Sequence, residues 1–354
     1  MEAFFSDQVL TIALYATAIA SAITALLMVM IGVFRWMFHA ESRRDESFAR
    51  EWQPILAEVI LGSSMPVNTD LNPQRQLTLL RLWNYWHESL AGQANERLKQ
   101  FALACGCDLI ALELARKGNR AQKLLSAITL GNFRHGQAWP FLREMVNRKD
   151  QVLSLRAARA LLQIHPERAT SELLHLILQR QDWELSVLIN ILRQSREVFR
   201  DQLVHQWPQL HLKERERAFS LCANMSVSLP PALVHAALRM DSEVTLLVAA
   251  LLWLERLQDP LHRRQLLLLL DHPHACVRAQ AVQTLGALGT LSDVDVMVEM
   301  LHDNDAQTRL MAARGLAKMP TFGIERLGML KEEIADSRAY QALAVANAEL
   351  GGAR

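Results

Sequence analysis

The second half of this chain repeats one helical pattern at a fixed step, and that period limits the possible folds more than any other feature. One copy reads Asp271-His-Pro-His-Ala-Cys-Val-Arg278-Ala-Gln-Ala281-Val-Gln-Thr-Leu285-Gly286, and it returns as Asp303-Asn-Asp-Ala-Gln-Thr-Arg309-Leu-Met-Ala312-Ala-Arg-Gly-Leu316. Steps of 30 or 31 residues back from Arg278 land on Leu247, Arg217, Val187, Arg156 and Leu125, and a forward step from Arg309 lands on Tyr340. Each position lies in an apolar helical segment. A unit of this size cannot bury its own apolar face, so neighbouring units must stack, and the period predicts a solenoid of helix pairs.

Composition agrees with helices. Hydrophobic residues make up 51% of the 354, but Phe, Trp and Tyr only 6%. Leu and Ala dominate, which favours helix over strand. The fold expected is all-α. Outer helices are expected near 138–146, 169–178, 198–207, 231–239, 261–270 and 294–301, alternating with inner helices that carry the periodic position. Alanines 157, 160, 218, 250, 281 and 312 would let neighbouring inner helices approach closely. Prolines 208, 230, 231, 260, 273 and 320 fall where helices must start or stop.

The copies share a turn aspartate, an arginine six or seven residues on, an alanine three further and a leucine four beyond that. In this the chain resembles HEAT repeats, in their short lyase-like bacterial form, over roughly Leu125 to Leu350. The likeness is clearest at Asp150, Asp271 and Asp303, and the arginine is absent at Val187 and Leu247. The resemblance implies a right-handed α-solenoid that binds another protein. It also implies that Asp150, Asp182, Asp241, Asp271 and Asp303, with Arg156, Arg217, Arg278 and Arg309, form a structural ladder. Physically, a carboxylate at a helix start satisfies free N–H groups, and an arginine one and a half turns in can reach the aspartate of an adjacent copy.

Between Asp7 and Arg35 no side chain is charged, and the apolar run from Val9 exceeds the length of about 20 residues that crosses a bilayer. No Lys or Arg precedes the run, as a signal peptide would require, whereas Arg35, Arg43, Arg44 and Arg50 follow it. The run is therefore expected to be a single transmembrane anchor in a bacterial inner membrane, with the bulk of the chain cytoplasmic. Ala13, Thr17, Ser21 and Ala25 place small residues on one face of the span, suited to close packing against another membrane helix. The organisation expected is an anchor over 1–38, a juxtamembrane helix and Gly/Ser/Asn/Pro-containing linker over 39–73, and the solenoid over 74–354. Such a linker predicts that a fragment starting near Asn72 is soluble and strongly helical. Trp83 and Trp86 are expected to plug the first repeat.

No sequence motif suggests catalysis. There is no glycine-rich phosphate loop and no Gly-x-Ser-x-Gly. His87-Glu88 is a single dyad, too few for the iron chemistry of HEAT-like hydroxylases. His262, His272 and His274 lack ligand spacing and are expected to be solvated turn residues. Cys105, Cys107, Cys222 and Cys276 are expected to be buried free thiols. A formal net charge of +1 gives no general pull toward nucleic acid. The function expected is a membrane-tethered scaffold for a membrane-associated protein partner, within an envelope export or polysaccharide-synthesis complex for example, with no cofactor and no metal. The alternative is a HEAT-like protein that handles a small ligand or pigment.

Overall fold

The computed structural model describes residues 50–62, 72–288, 290–319, 329–330, 332 and 336–351. The described residues are helical throughout, with turns between helices and no strand among them. Two compact units divide the chain, Met1–Ala138 and Trp139–Arg354.

The first unit contains α1 (residues 50–61), α2 (Pro73–Ser89), α3 (Gln93–Ala104), α4 (Cys107–Lys117) and α5 (Arg120–Phe133). Asn72 caps α2 by accepting from Arg75 N at 2.9 Å. Asn119 and Gln122 form a reciprocal capping box on α5. Gly106 turns α3 into α4 at a φ of 67°, which costs a residue without Cβ little. The core joins Leu79, Leu80 and Trp83 of α2 to Leu98 and Phe101 of α3, and to Trp52, Leu56 and Val59 of α1. Trp83 stacks on Phe133 with ring centroids 4.2 Å apart and donates Nε1–H to Leu98 O. It is a core residue of this unit, while Trp86 is half-buried. Arg97 of α3 donates to Ile60 O at 3.0 Å, fastening the end of α1. The stretch expected to separate anchor from repeats therefore connects two helices of one core. The anchor from Val9, with its Ala13, Thr17, Ser21 and Ala25 face, lies outside the described residues. Among the described residues, no helix is long and apolar enough to cross a membrane.

The second unit alternates outer and inner helices. The outer ones are α6 (Trp139–Val146), α8 (Pro166–Gln179), α10 (Arg196–Gln206), α12 (Pro231–Ala237), α14 (Arg263–Leu269) and α16 (Val294–Glu299). The inner ones are α7 (Gln151–Ile164), α9 (Leu185–Leu192), α11 (Leu212–Met225), α13 (Val244–Leu257), α15 (Ala275–Leu288), α17 (Ala306–Lys318) and α18 (Ser337–Gly351). Successive inner helices pack side by side from α11 to α18, and α14 and α16 back onto α15 and α17. This two-layer repeat is consistent with an α-solenoid. Alanines 157, 160, 218, 250, 281 and 312 are all buried. Pro166 and Pro231 open α8 and α12, where the missing N–H costs nothing.

Two readings from sequence are corrected. His262 and His272 are 1% and 3% exposed: the His262 ring packs edge-on against His235 with Trp253 beside it, and His272 Nδ1 accepts from His274 N. Cys276 is exposed, since it falls on the outward side of the first turn of α15.

Candidate functional site

The turn aspartates and periodic arginines take several different arrangements. Arg278 of α15 donates from Nε and Nη2 to both carboxylate oxygens of Asp303, at 2.7 and 2.8 Å, bridging to the next copy. The two side chains are only 16% and 7% exposed. The Arg278 guanidinium holds the Asp303 carboxyl below the usual range, against the opposing effect of burial. Arg278 Nη1 also donates to His272 O at 2.9 Å, and Arg309 Nη1 to Asp303 O at 2.8 Å, so each arginine closes its own turn in the same way. Arg217 reaches back instead, to Trp183 O at 2.7 Å and Gln181 Oε1 at 2.9 Å.

Asp150 caps α7 through Leu153 N at 3.1 Å. Asp182 and Asp241 instead take bidentate pairs from Arg180 and Arg239, two residues earlier. Helix α17 is capped by Asp305, not Asp303. Asp271 and Arg156 are exposed, and neither side chain has a hydrogen bond or ion pair among the described residues. The arrangement thus brings Arg278 and Asp303 together and leaves Arg156 and Asp271 apart.

A second set of cross-helix contacts, absent from the sequence reading, ties the inner layer together. Thr245 of α13 donates to Glu216 of α11. Gln280 and Gln283 of α15 both donate to Glu255 of α13 at 2.9 Å. Arg314 of α17 makes a bidentate pair with Glu349 of α18, at 2.8 and 2.6 Å. Thr284 and Thr308, buried, donate to Leu251 O and Ala275 O of the preceding inner helices. These positions are polar residues at helical spacing, and in sequence they look like any solvated helix face.

Between α13, α15 and α17 the exposed side of the layer forms an open groove of about 660 Å³. It is lined by Leu252, Glu255, Arg256 and Gln258 of α13 and its C-terminal turn, Gln283, Gly286 and Ala287 of α15, and Lys318 of α17. A smaller cavity of about 130 Å³ adjoins it, shares Gly286 and Ala287, and adds Met311, Arg314 and Gly315 of α17. A Cβ on Gly286 would lie 2.6 Å from Gly315 Cα, so the backbones of α15 and α17 meet where neither helix has a side chain. The sequence signal for this was glycine inside a helical pattern. Charge in the groove is mixed: Arg256 and Lys318 sit at the C-terminal ends of α13 and α17, where they complement the helix dipoles, and Glu255 is held by amides.

Among the described residues, no group of three or more His, Cys, Asp or Glu is placed to hold a metal ion. Burial pushes the Cys105 thiol up to about 11 and the Cys222 thiol up to about 12, which leaves both poor nucleophiles near neutral pH. No curated protein matches the chain. Residues 230–317, from the turn before α12 to the last turn of α17 and so nearly the whole groove, match the family model described as HEAT repeats, and in this segment the chain is similar to that family.

Proposed function

We propose that this protein is a membrane-tethered scaffold that docks a protein partner on the exposed side of its inner helices, with no catalysis of its own. One observation carries the reading: the open groove across α13, α15 and α17, lined in part by Gly286, in the segment similar to HEAT repeats, which generally mediate protein–protein contact. Cross-helix hydrogen bonds pre-order this face, so binding a partner would cost little further ordering. An open groove lined by polar and charged side chains suits a polypeptide better than a small apolar ligand, whose sites are typically enclosed and lined by hydrophobic side chains.

The anchor from Val9, the basic flank at Arg35, Arg43 and Arg44, and the small-residue face of the span support a tether in a bacterial inner membrane. The repeats then face the cytoplasm, stack with right-handed twist, and meet a membrane-associated partner, for which an envelope export or polysaccharide-synthesis component is one example. The paired members of the periodic set, Arg278 with Asp303 above all, serve the stack rather than the partner. A cytoplasmic reporter fused after Arg354 is expected to be active and a periplasmic phosphatase inactive at the same position; the reverse pattern would refute the orientation. Crosslinking in intact membranes is expected to capture a membrane-associated protein, and capture of soluble metabolic enzymes alone would count against it.

A further inference from the structure

We propose that the exposed side of α7 and α9 docks an acidic segment of a protein partner. This rests on the docking reading and gives the partner a chemistry, at a second surface of the same helix layer. On α7, Val152 is 49% exposed and Arg156 is exposed, with Arg159 half-buried one turn on. On α9, which packs beside α7, Val187 is 37% exposed, and Arg193 is exposed in the turn that closes the helix. Neither helix contains an acidic residue. Among the described residues, Arg156, Arg159 and Arg193 have no hydrogen bond or ion pair.

In this they differ from Arg278, paired with Asp303, and Arg314, paired with Glu349. The nearby carboxylates do not neutralise the face. Asp150 caps α7 and Asp182 holds Arg180. Glu184 is exposed at the start of α9, and nine residues of helical rise put it about 13 Å from Arg193.

Guanidinium groups match carboxylates in paired geometry, and these three are free to do so. Val152, one turn before Arg156 on α7, and Val187 on α9 add exposed apolar surface. Three cations are fewer than the four to eight that typically mark an anionic-membrane site. The chain's net charge of +1 lacks the basic excess of a nucleic-acid binder.

The test uses the purified full-length chain and a fluorescent hexaglutamate peptide, read by anisotropy. Hexaglutamate is expected to bind in a salt-dependent way and hexaglutamine not to bind. The triple variant Arg156→Gln/Arg159→Gln/Arg193→Gln is expected to weaken binding at least about tenfold with an unchanged circular dichroism spectrum. The charge-reversed variant Arg156→Glu/Arg159→Glu should prefer hexalysine. Unchanged hexaglutamate affinity in the triple variant overturns the proposal, as does tighter binding of a single-stranded oligonucleotide through the same arginines. If membrane crosslinking captures no partner while hexaglutamate still binds through these arginines, the scaffold reading fails but this surface stands.

Discussion

Arg278 is the residue on which the ladder can be tested. It is mostly buried, pairs with a buried carboxylate and also closes its own turn through His272 O. Arg278→Ala removes those contacts and leaves Asp303 under-satisfied, so it is expected to cost about 1–3 kcal/mol. Hydrogen exchange should quicken around 271–316 and stay slow near α7, because repeats couple mainly to their neighbours. Unchanged stability with lost partner binding would make the arginine a recognition residue instead. The same pair has a pH signature. The folded pKa of Asp303 is lowered, so its contribution is complete above the ordinary carboxylate range and is lost as pH falls through the folded value. Acid unfolding of Arg278→Ala, followed by circular dichroism, should therefore show a shallower loss of stability at low pH than the parent. Sequence exposed the periodic arginine but not its partner. The turn Asp303-Asn304-Asp305 offers two carboxylates, and only the register of the stack decides that one pairs with Arg278 and the other caps α17.

At the scale of elements, α15 and α17 meet through Gly286 and Gly315, and the two glycines should not be equivalent. A methyl on Gly286 strikes backbone, 2.6 Å from Gly315 Cα, so the helices must separate. A methyl on Gly315 meets the flexible end of Met297, with Gly286 Cα at an ordinary 3.4 Å. Gly286→Ala is expected to lose about 1–3 kcal/mol by overpacking, in spite of a helix-propensity gain of about 1 kcal/mol. Gly315→Ala should lose clearly less, as urea denaturation of the two variants would measure. Equal losses would mean that the approach of the helices is not set by Gly286. Most helix spans were legible in the sequence because the apolar period and the prolines mark both faces and ends. The inner helix α9 shows where legibility stops. Its periodic position is Val187, it runs only Leu185–Leu192, and α8 packs directly against α11 beside it. There Glu214 is pulled up by burial but held below its ordinary range by His211 N, His175 and Gln179. A buried carboxylate with partners 35 and 39 residues away leaves no local pattern.

At the scale of the molecule, the boundary suggested by a Gly- and Pro-containing stretch is not a boundary of packing. Trp52, Leu56 and Val59 share a core with α2 and α3, and burying each such side chain contributes about 1.5–3 kcal/mol. A fragment starting at residue 50 is expected to melt cooperatively, whereas one starting at Asn72 should lose protection in α2 and α3. Equal melting of the two would mean that α1 is dispensable. Composition cannot reveal this, because a stretch between two helices of one core and a stretch between two domains use the same residue types. The groove was equally hidden, since its glycine and glutamines become neighbours only when three repeats stack. That groove carries the central claim, and site-specific photo-crosslinking in intact membranes tests it most directly. A crosslinker at Leu252 on the groove wall is expected to capture one membrane-associated protein, while the same group at Leu268, exposed on the outer helix α14, captures none. Equal capture from both positions, or none from Leu252, would contradict the account.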